Sequence, residues 1–224
     1  MQQTRTTIRG TQLDRGRITG GIVASAVHID DCWSAWGPPD DERPLLHDLT
    51  LTDLRLTRVA LGGAVLRDVT VDGLRRDGQS MFFFGNQFEH VTLRGRVGTV
   101  ILNPEHASVE YEQAYRSAIR AAERLVDWTL DISEAVGKIE IRGYAADRIR
   151  RDPDTHVVVR RANLLDGRWR SVDLEGTTFG IGLDLMVQAG SLDTVLVADT
   201  TRRNSRTQLA VLQRLRDEGF ADPR

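Results

Sequence analysis

The sequence predicts a mainly β protein built on a right-handed parallel β-helix, a solenoid with coils of about 20–22 residues, with an inserted α-helix and a small α/β C-terminal cap. Three observations lead to this prediction. A short apolar-x-apolar pattern recurs at near-constant spacing, a finer period of five residues runs through part of the repeat, and two later stretches change to helical spacing.

The repeat is an apolar-x-apolar triplet followed by a polar residue and then by glycine or aspartate. Its first five copies are spaced 21, 22, 20 and 22 residues apart and start at Thr6, Val27, Leu49, Val69 and Val91. Two later copies start at Ile139 and Val172. Alternate residues of a strand face opposite sides, so the first and third positions of each copy are expected to point inward. The final glycine or aspartate suits a corner with positive φ.

A finer period of five residues links apolar positions within two of these coils. Its members are Leu49, Leu54, Val59, Ala64, Val69 and Leu74. The segment Thr52-Asp53-Leu54-Arg55-Leu56 resembles the unit of the pentapeptide-repeat proteins, and the resemblance covers residues 5–102. It implies a right-handed quadrilateral β-helix. Family members include topoisomerase-binding DNA mimics among many other roles, so the resemblance implies a fold and no particular function.

Residues 103–128 break the repeat. Apolar side chains there recur at helical spacing, at Tyr111, Tyr115, Ala118, Ala122 and Leu125. This predicts an amphipathic helix over 109–126, inserted into a solenoid that spans 1–178. The segment 179–224 is predicted to form a helix, a strand and a helix, over 181–189, 194–198 and 204–218. It is either a cap for the solenoid end or a small interaction module of its own.

Composition excludes several classes of function. The net charge of −2 gives no general attraction to nucleic acids or anionic membranes, and no apolar run approaches the roughly 20 residues of a membrane span. Cys32 is the sole cysteine, so no intrachain disulfide forms, and a cytoplasmic location is expected. Lys138 is the sole lysine among 30 basic residues, an arginine bias typical of a bacterium with a GC-rich genome.

No established catalytic or nucleotide-binding motif is present, and Gly180-Ile181-Gly182 is interpreted as a turn. The histidines lack metal-ligand spacing, so neither a metal nor a cofactor is expected. Two tryptophans near Cys32 either stack on a ligand or fill a bulge in one coil. A cleft between the solenoid and the inserted helix would place two polar side chains near a ligand. The candidate binding residues are Trp33, Trp36, His90 and Arg94.

The function that these observations favour is a non-enzymatic bacterial scaffold or binding protein that engages a protein partner, with a homo-oligomer as one form of that partnership. The alternative is a protein or enzyme that binds a small molecule or glycan in the cleft beside the inserted helix. A third reading, a topoisomerase-directed nucleic-acid mimic, is disfavoured because the chain is nearly neutral.

Overall fold

A computed structural model describes residues 6–9, 12–13, 17–34, 38–39, 43–77, 81–105 and 109–223. Two β-sheets face each other across an apolar core, and three α-helices lie with them. The strands of the first half are β1 (Thr6–Arg9), β2 (Gln12–Leu13), β3 (Arg17–Ser25), β4 (Val27–Asp30), β5 (Trp33–Ser34), β6 (Leu45–Thr57), β7 (Leu61–Gly62), β8 (Val65–Arg76), β9 (Met81–Phe84), β10 (Gln87–Val97) and β11 (Val100–Asn103).

The second half holds the helices and six further strands. These elements are α1 (Val109–Glu123), β12 (Leu130–Asp131), β13 (Ala135–Val136), β14 (Ile139–Arg142), β15 (Ile149–Arg150), β16 (His156–Arg160), α2 (Phe179–Ala189), β17 (Asp193–Val197) and α3 (Ser205–Asp217). Helix α1 lies inside the segment that the sequence predicts to be helical, and α2, β17 and α3 match the predicted helix, strand and helix of the C-terminal segment to within two residues.

The first sheet is parallel and has nine strands, with the main order β1-β4-β6-β8-β10-β12-β15. The predicted step from Val27 to Leu49 is wrong, because His28 lies opposite Arg55, and Ile22 of β3 lies opposite Leu49. Elsewhere the register follows the sequence repeat, since Thr6 lies opposite Val27, and Leu49, Val69 and Val91 lie opposite one another in successive strands. The last three side chains are buried, as their inward position predicts. The corner prediction also holds for these strands, where the backbone φ is 52° at Asp53, 77° at Gly73 and 66° at Gly95.

The second sheet has the order β16-β17-β14-β11-β9-β7 and mixes strand directions. Strands β7, β9, β11 and β14 run parallel, whereas β17 pairs antiparallel with both β14 and β16. Alternate residues of β16 and β17 face opposite sides of this sheet. Val158 and Val195 enter the core between the sheets, and Val157 and Leu196 enter a second core beneath α2 and α3.

The prediction of a right-handed β-helix solenoid is wrong, and the pentapeptide-repeat-like helix is wrong with it. The mixed second sheet and the helices packed on it make the protein an α/β sandwich. The repeat copy predicted at Val172 forms no strand, because Val172 packs beside Trp169 in the second core. The C-terminal segment 179–224 contributes β17, which lies between β14 and β16 in the second sheet.

Candidate functional site: a pocket at the end of the second sheet

A pocket of about 390 Å³ opens where β17 ends and β14 begins. These strand ends meet because β17 runs antiparallel to β14, with Glu140 opposite Leu196. The floor is apolar and includes Leu196 and Phe179, because the side chains of Ile139, Val195 and Val197 point into the core between the sheets. The volume falls within the range of about 300–1,000 Å³ usual for small-molecule sites, and polar side chains converge above the apolar floor as such sites require.

The first turns of two helices border this pocket. Helix α2 contributes Thr177 and Thr178, and α3 contributes Asn204, the residue that precedes its first turn. The first backbone N–H groups of a helix lack partners within the helix and carry partial positive charge. Thr178 makes no side-chain hydrogen bond to this turn of α2, and the Phe179 N–H donates to the Thr177 hydroxyl at 3.3 Å. The pocket therefore presents two electropositive helix ends.

A hydrogen-bonded network fixes the two helix ends relative to each other. The Asn204 amide donates to the Gly176 carbonyl at 2.7 Å and accepts from the Gln208 amide at 3.0 Å. The buried Gln208 in turn accepts from the Asp199 N–H at 2.8 Å. Because each link joins a different segment, the loop after β17 and the start of α2 are held in one arrangement around the pocket.

The charged groups of the pocket differ in how they are engaged. Asp199 is buried, and its carboxylate accepts from the Thr201 N–H at 3.0 Å and from Arg202 at 3.2 Å. Glu140 accepts two hydrogen bonds from Arg142. Lys138 lines the pocket half-buried, and its ammonium has no ion-pair or hydrogen-bond partner among the described residues. Each of the two carboxylates is therefore paired with an arginine, and the ammonium of Lys138 is available to bind an anion.

A second pocket of about 380 Å³ adjoins the first and shares Lys138, Asp199 and Arg202 with it. Five of its twelve lining residues are arginine or lysine, and one is acidic. Arg75 is paired with Asp53, at 2.7 Å. Together the two pockets form a groove, here called the basic groove, whose walls carry an excess of positive charge over negative.

Neither tryptophan candidate can be placed at this groove. The backbone of Trp33 forms β5, and its side chain is not among those the structure describes. Trp36 lies outside the described residues. The predicted ligand wall beside Cys32 therefore stays a prediction.

His90 occupies a corner of the parallel sheet and lines neither pocket of the basic groove. Its backbone φ is 53°, and its ring lies between Asp68, at 3.2 Å from Nδ1, and Asp127, at 3.0 Å from Nε2. The ring also packs against Trp128, with ring centroids 5.0 Å apart. The hydrogen bond with His90 lowers the pKa of the Asp127 carboxyl. Both ring nitrogens are thus engaged, and they link β10 to β8 and to the segment that follows α1.

Arg94 also lies on β10 and also has a partner, since its Nε donates to Asp72 at 3.0 Å. It lines a separate shallow cavity of about 200 Å³ with Asp131 and Glu134. The cleft expected beside the inserted helix has a counterpart of about 430 Å³, between α1 and the turn after α2 at Gly190. Neither His90 nor Arg94 lines that cleft.

Sequence reasoning missed most of the basic groove. Lys138 stands out in the composition as the sole lysine, but nothing in the sequence relates it to Asp199 or Arg202, about sixty residues away. The one available signal was Gly180-Ile181-Gly182. Interpreted as a turn, this triplet instead lies within the first turns of α2, and Gly182 lines the pocket.

Within the described ranges two features are absent. No cluster of three or more histidine, cysteine, aspartate or glutamate side chains there could hold a metal ion. None of the helices described is long and apolar enough to cross a membrane. Comparisons with models of protein families, with curated proteins and with solved structures found no match to the chain.

Proposed function

We propose that the protein binds a phosphate-bearing small molecule in the basic groove. The observation that carries this proposal is Lys138, which is half-buried, lines the same pocket as the residues that precede α2 and α3, and has no partner among the described side chains. A phosphoryl group would accept hydrogen bonds from backbone N–H groups at the start of α2 and from the lysine ammonium. The adjoining basic wall suits a ligand with more than one phosphate.

Binding is favoured over catalysis by the state of the acidic groups. A general base needs a carboxylate that is free to accept a proton, and both Asp199 and Glu140 are engaged by arginine. The apolar floor below the charged groups suits the uncharged part of a ligand, such as a ring or sugar. On this proposal the protein is a binding module, and neither carboxylate of the pocket acts as a general base on the ligand.

The proposal is tested by isothermal titration with inorganic phosphate, pyrophosphate, ribose 5-phosphate and ATP. We expect saturable binding of at least one of these anions, which weakens as salt is added because the contacts are ionic. Lys138→Gln removes a charge-assisted hydrogen bond and should reduce affinity by about tenfold or more, equivalent to about 1.5–3 kcal/mol.

The matched control is Arg124→Gln, which removes one positive charge from an exposed residue just after α1, outside both pockets of the basic groove. It should leave affinity within about twofold of the parent protein, because exposed charges contribute little. Equal weakening by the two variants would mean that the attraction is non-specific. Absence of saturable binding for every anion tested would refute the proposal.

A second proposal keeps the sequence-based expectation of a protein partner. Strand β3 pairs with β6 along one edge, and no described strand pairs with its other edge. Ile22 and Val23 on this strand are 40% and 79% exposed. An uncovered strand edge with apolar side chains favours pairing with a second copy of the chain. Light scattering after gel filtration should then show a dimer that Val23→Lys converts to a monomer, and a monomeric parent protein would contradict it.

A further inference from the structure

A cavity of about 180 Å³ lies between the two sheets, and of its described lining residues Leu74 alone also lines the basic groove. The described side chains that line it are aliphatic or aromatic with the exception of Cys32, whose thiol donates to the Asp30 carbonyl at 3.3 Å. The two sheets contribute facing rows, Leu51, Val71 and Leu93 from one and Leu61, Phe83 and Leu102 from the other. The wall therefore offers apolar contact and almost no hydrogen bonding.

The cavity is long relative to its volume. Its lining runs across five neighbouring strands of the parallel sheet, from Ile29 on β4 to Leu130 on β12. Neighbouring strands lie about 4.8 Å apart, so the four intervals span about 19 Å. At one end it reaches the surface beside Ile18, which is 38% exposed. A narrow apolar channel open at one end has the shape of a single extended hydrocarbon chain.

The size of this cavity is unusual for a protein core. Protein interiors are packed as densely as organic crystals, and a space without contacts destabilises the core in proportion to its volume. A cavity of about 150 Å³ engineered into the core of another protein stays dry and takes up benzene. An apolar ligand that fills a natural cavity of similar size should therefore stabilise the folded protein. The elongated form of this cavity favours long ligands over compact ones.

We propose that this cavity is a binding site for the unbranched alkyl chain of an acyl or alkyl compound. The chain lies between the facing rows of apolar side chains, and the polar end of the molecule stays in water beside Ile18. Binding is driven by burial of methylene groups, each of which adds a similar increment until the channel is filled. This site is a different one from the phosphate site proposed in the basic groove, and alkyl binding here does not require a ligand there.

The test titrates the full chain with hexanol, octanol, decanol and dodecanol, with cyclohexanol and benzyl alcohol as compact probes. Calorimetry and thermal unfolding are the readouts. We expect saturable binding whose affinity rises about threefold or more per added methylene. The rise should level off when the alkyl chain exceeds the channel, and the compact probes should bind more weakly than octanol.

Val71→Phe places a ring in the middle of the channel and should weaken dodecanol binding about tenfold or more. Thr70→Phe adds the same ring to the adjacent residue, which faces the opposite side of β8 and does not line the channel. It should leave binding unchanged. Equal affinity for dodecanol in the parent protein and in a folded Val71→Phe variant would overturn the proposal.

A measurement on the unmodified protein covers the case in which Val71→Phe does not fold. Dodecanol labelled with ¹³C should give NMR cross-peaks to the methyl groups of Val71 and Leu93. Cross-peaks restricted to the exposed Val23 would place the alkyl chain on the surface instead. That result, absence of saturable binding by every alkanol, or tighter binding of the compact probes would each overturn the proposal.

Discussion

The buried His156 should make the protein less stable as the pH falls. Its side chain lies at the start of β16, 2% exposed, and its Nδ1 accepts a hydrogen bond from the Asp152 N–H at 3.1 Å. Burial lowers the pKa of this imidazole from 6.5 to about 4; the nearby Asp152 carboxylate opposes this shift and Arg151 reinforces it. The folded protein therefore holds His156 neutral under conditions in which the unfolded chain protonates it.

The size and sign of the effect follow from this difference. Above about pH 6.5 both states are neutral at His156 and the residue adds no pH dependence. Between about pH 6.5 and pH 4 the unfolded state binds a proton that the folded state does not, so the free energy of unfolding falls as the pH is lowered. The full loss is about 3 kcal/mol, and about 2 kcal/mol of it should appear between about pH 7 and pH 5.

The substitution that isolates this effect is His156→Asn, because the asparagine oxygen can accept the same hydrogen bond and does not titrate. Urea unfolding followed by circular dichroism gives the free energy at about pH 7, 6 and 5. The parent protein should lose about 2 kcal/mol more than the variant over this range. His47→Asn, at a half-exposed site, controls for loss of an imidazole at the surface. Parallel pH profiles for His156→Asn and the parent would refute the reasoning.

Three further substitutions test the packing. Gly137→Ala should destabilise the protein by about 3 kcal/mol or more in urea unfolding, because the backbone φ is 154° and a Cβ would overlap the Val97 carbonyl; an unchanged midpoint would contradict this. Tyr144→Phe should lower the free energy of unfolding by about 1–2 kcal/mol, since the buried hydroxyl donates to the Asn86 carbonyl at 2.7 Å, and a loss below about 0.5 kcal/mol would mean that water replaces it. Leu212→Ala removes a 1% exposed side chain from the second core and should cost about 2–5 kcal/mol, measured by thermal or urea unfolding, with a smaller loss indicating that the core collapses around the gap.

Local features of the parallel sheet could be predicted from the sequence because they depend on neighbouring residues. Alternation of apolar and polar side chains places Val69 and Val91 inside, and spacing of about twenty residues sets their register. Aspartate and glycine at the corners accept positive φ, which other residues adopt at a cost. The helical spacing over 109–126 likewise predicts α1. None of these inferences requires knowledge of distant contacts.

The candidate site could not be predicted in the same way. Lys138 and Arg202 share a pocket only because β17 runs antiparallel beside β14, and no periodicity in the sequence encodes that pairing. The sequence predicts His90 near a ligand in a cleft beside the inserted helix, yet its ring lies between two carboxylate partners, Asp68 and Asp127, at a corner of the sheet. A residue type alone does not show which side chains face it across the fold.

The sequence by itself determined how β6, β8 and β10 pair, which of their side chains point inward and where the chain turns in these strands. The tertiary structure decided the fold class, since the mixed second sheet and its second core depend on contacts between residues far apart in the chain. The tertiary structure also created the basic groove and the apolar channel. Both are spaces between elements, and a space exists only once distant segments have packed against one another.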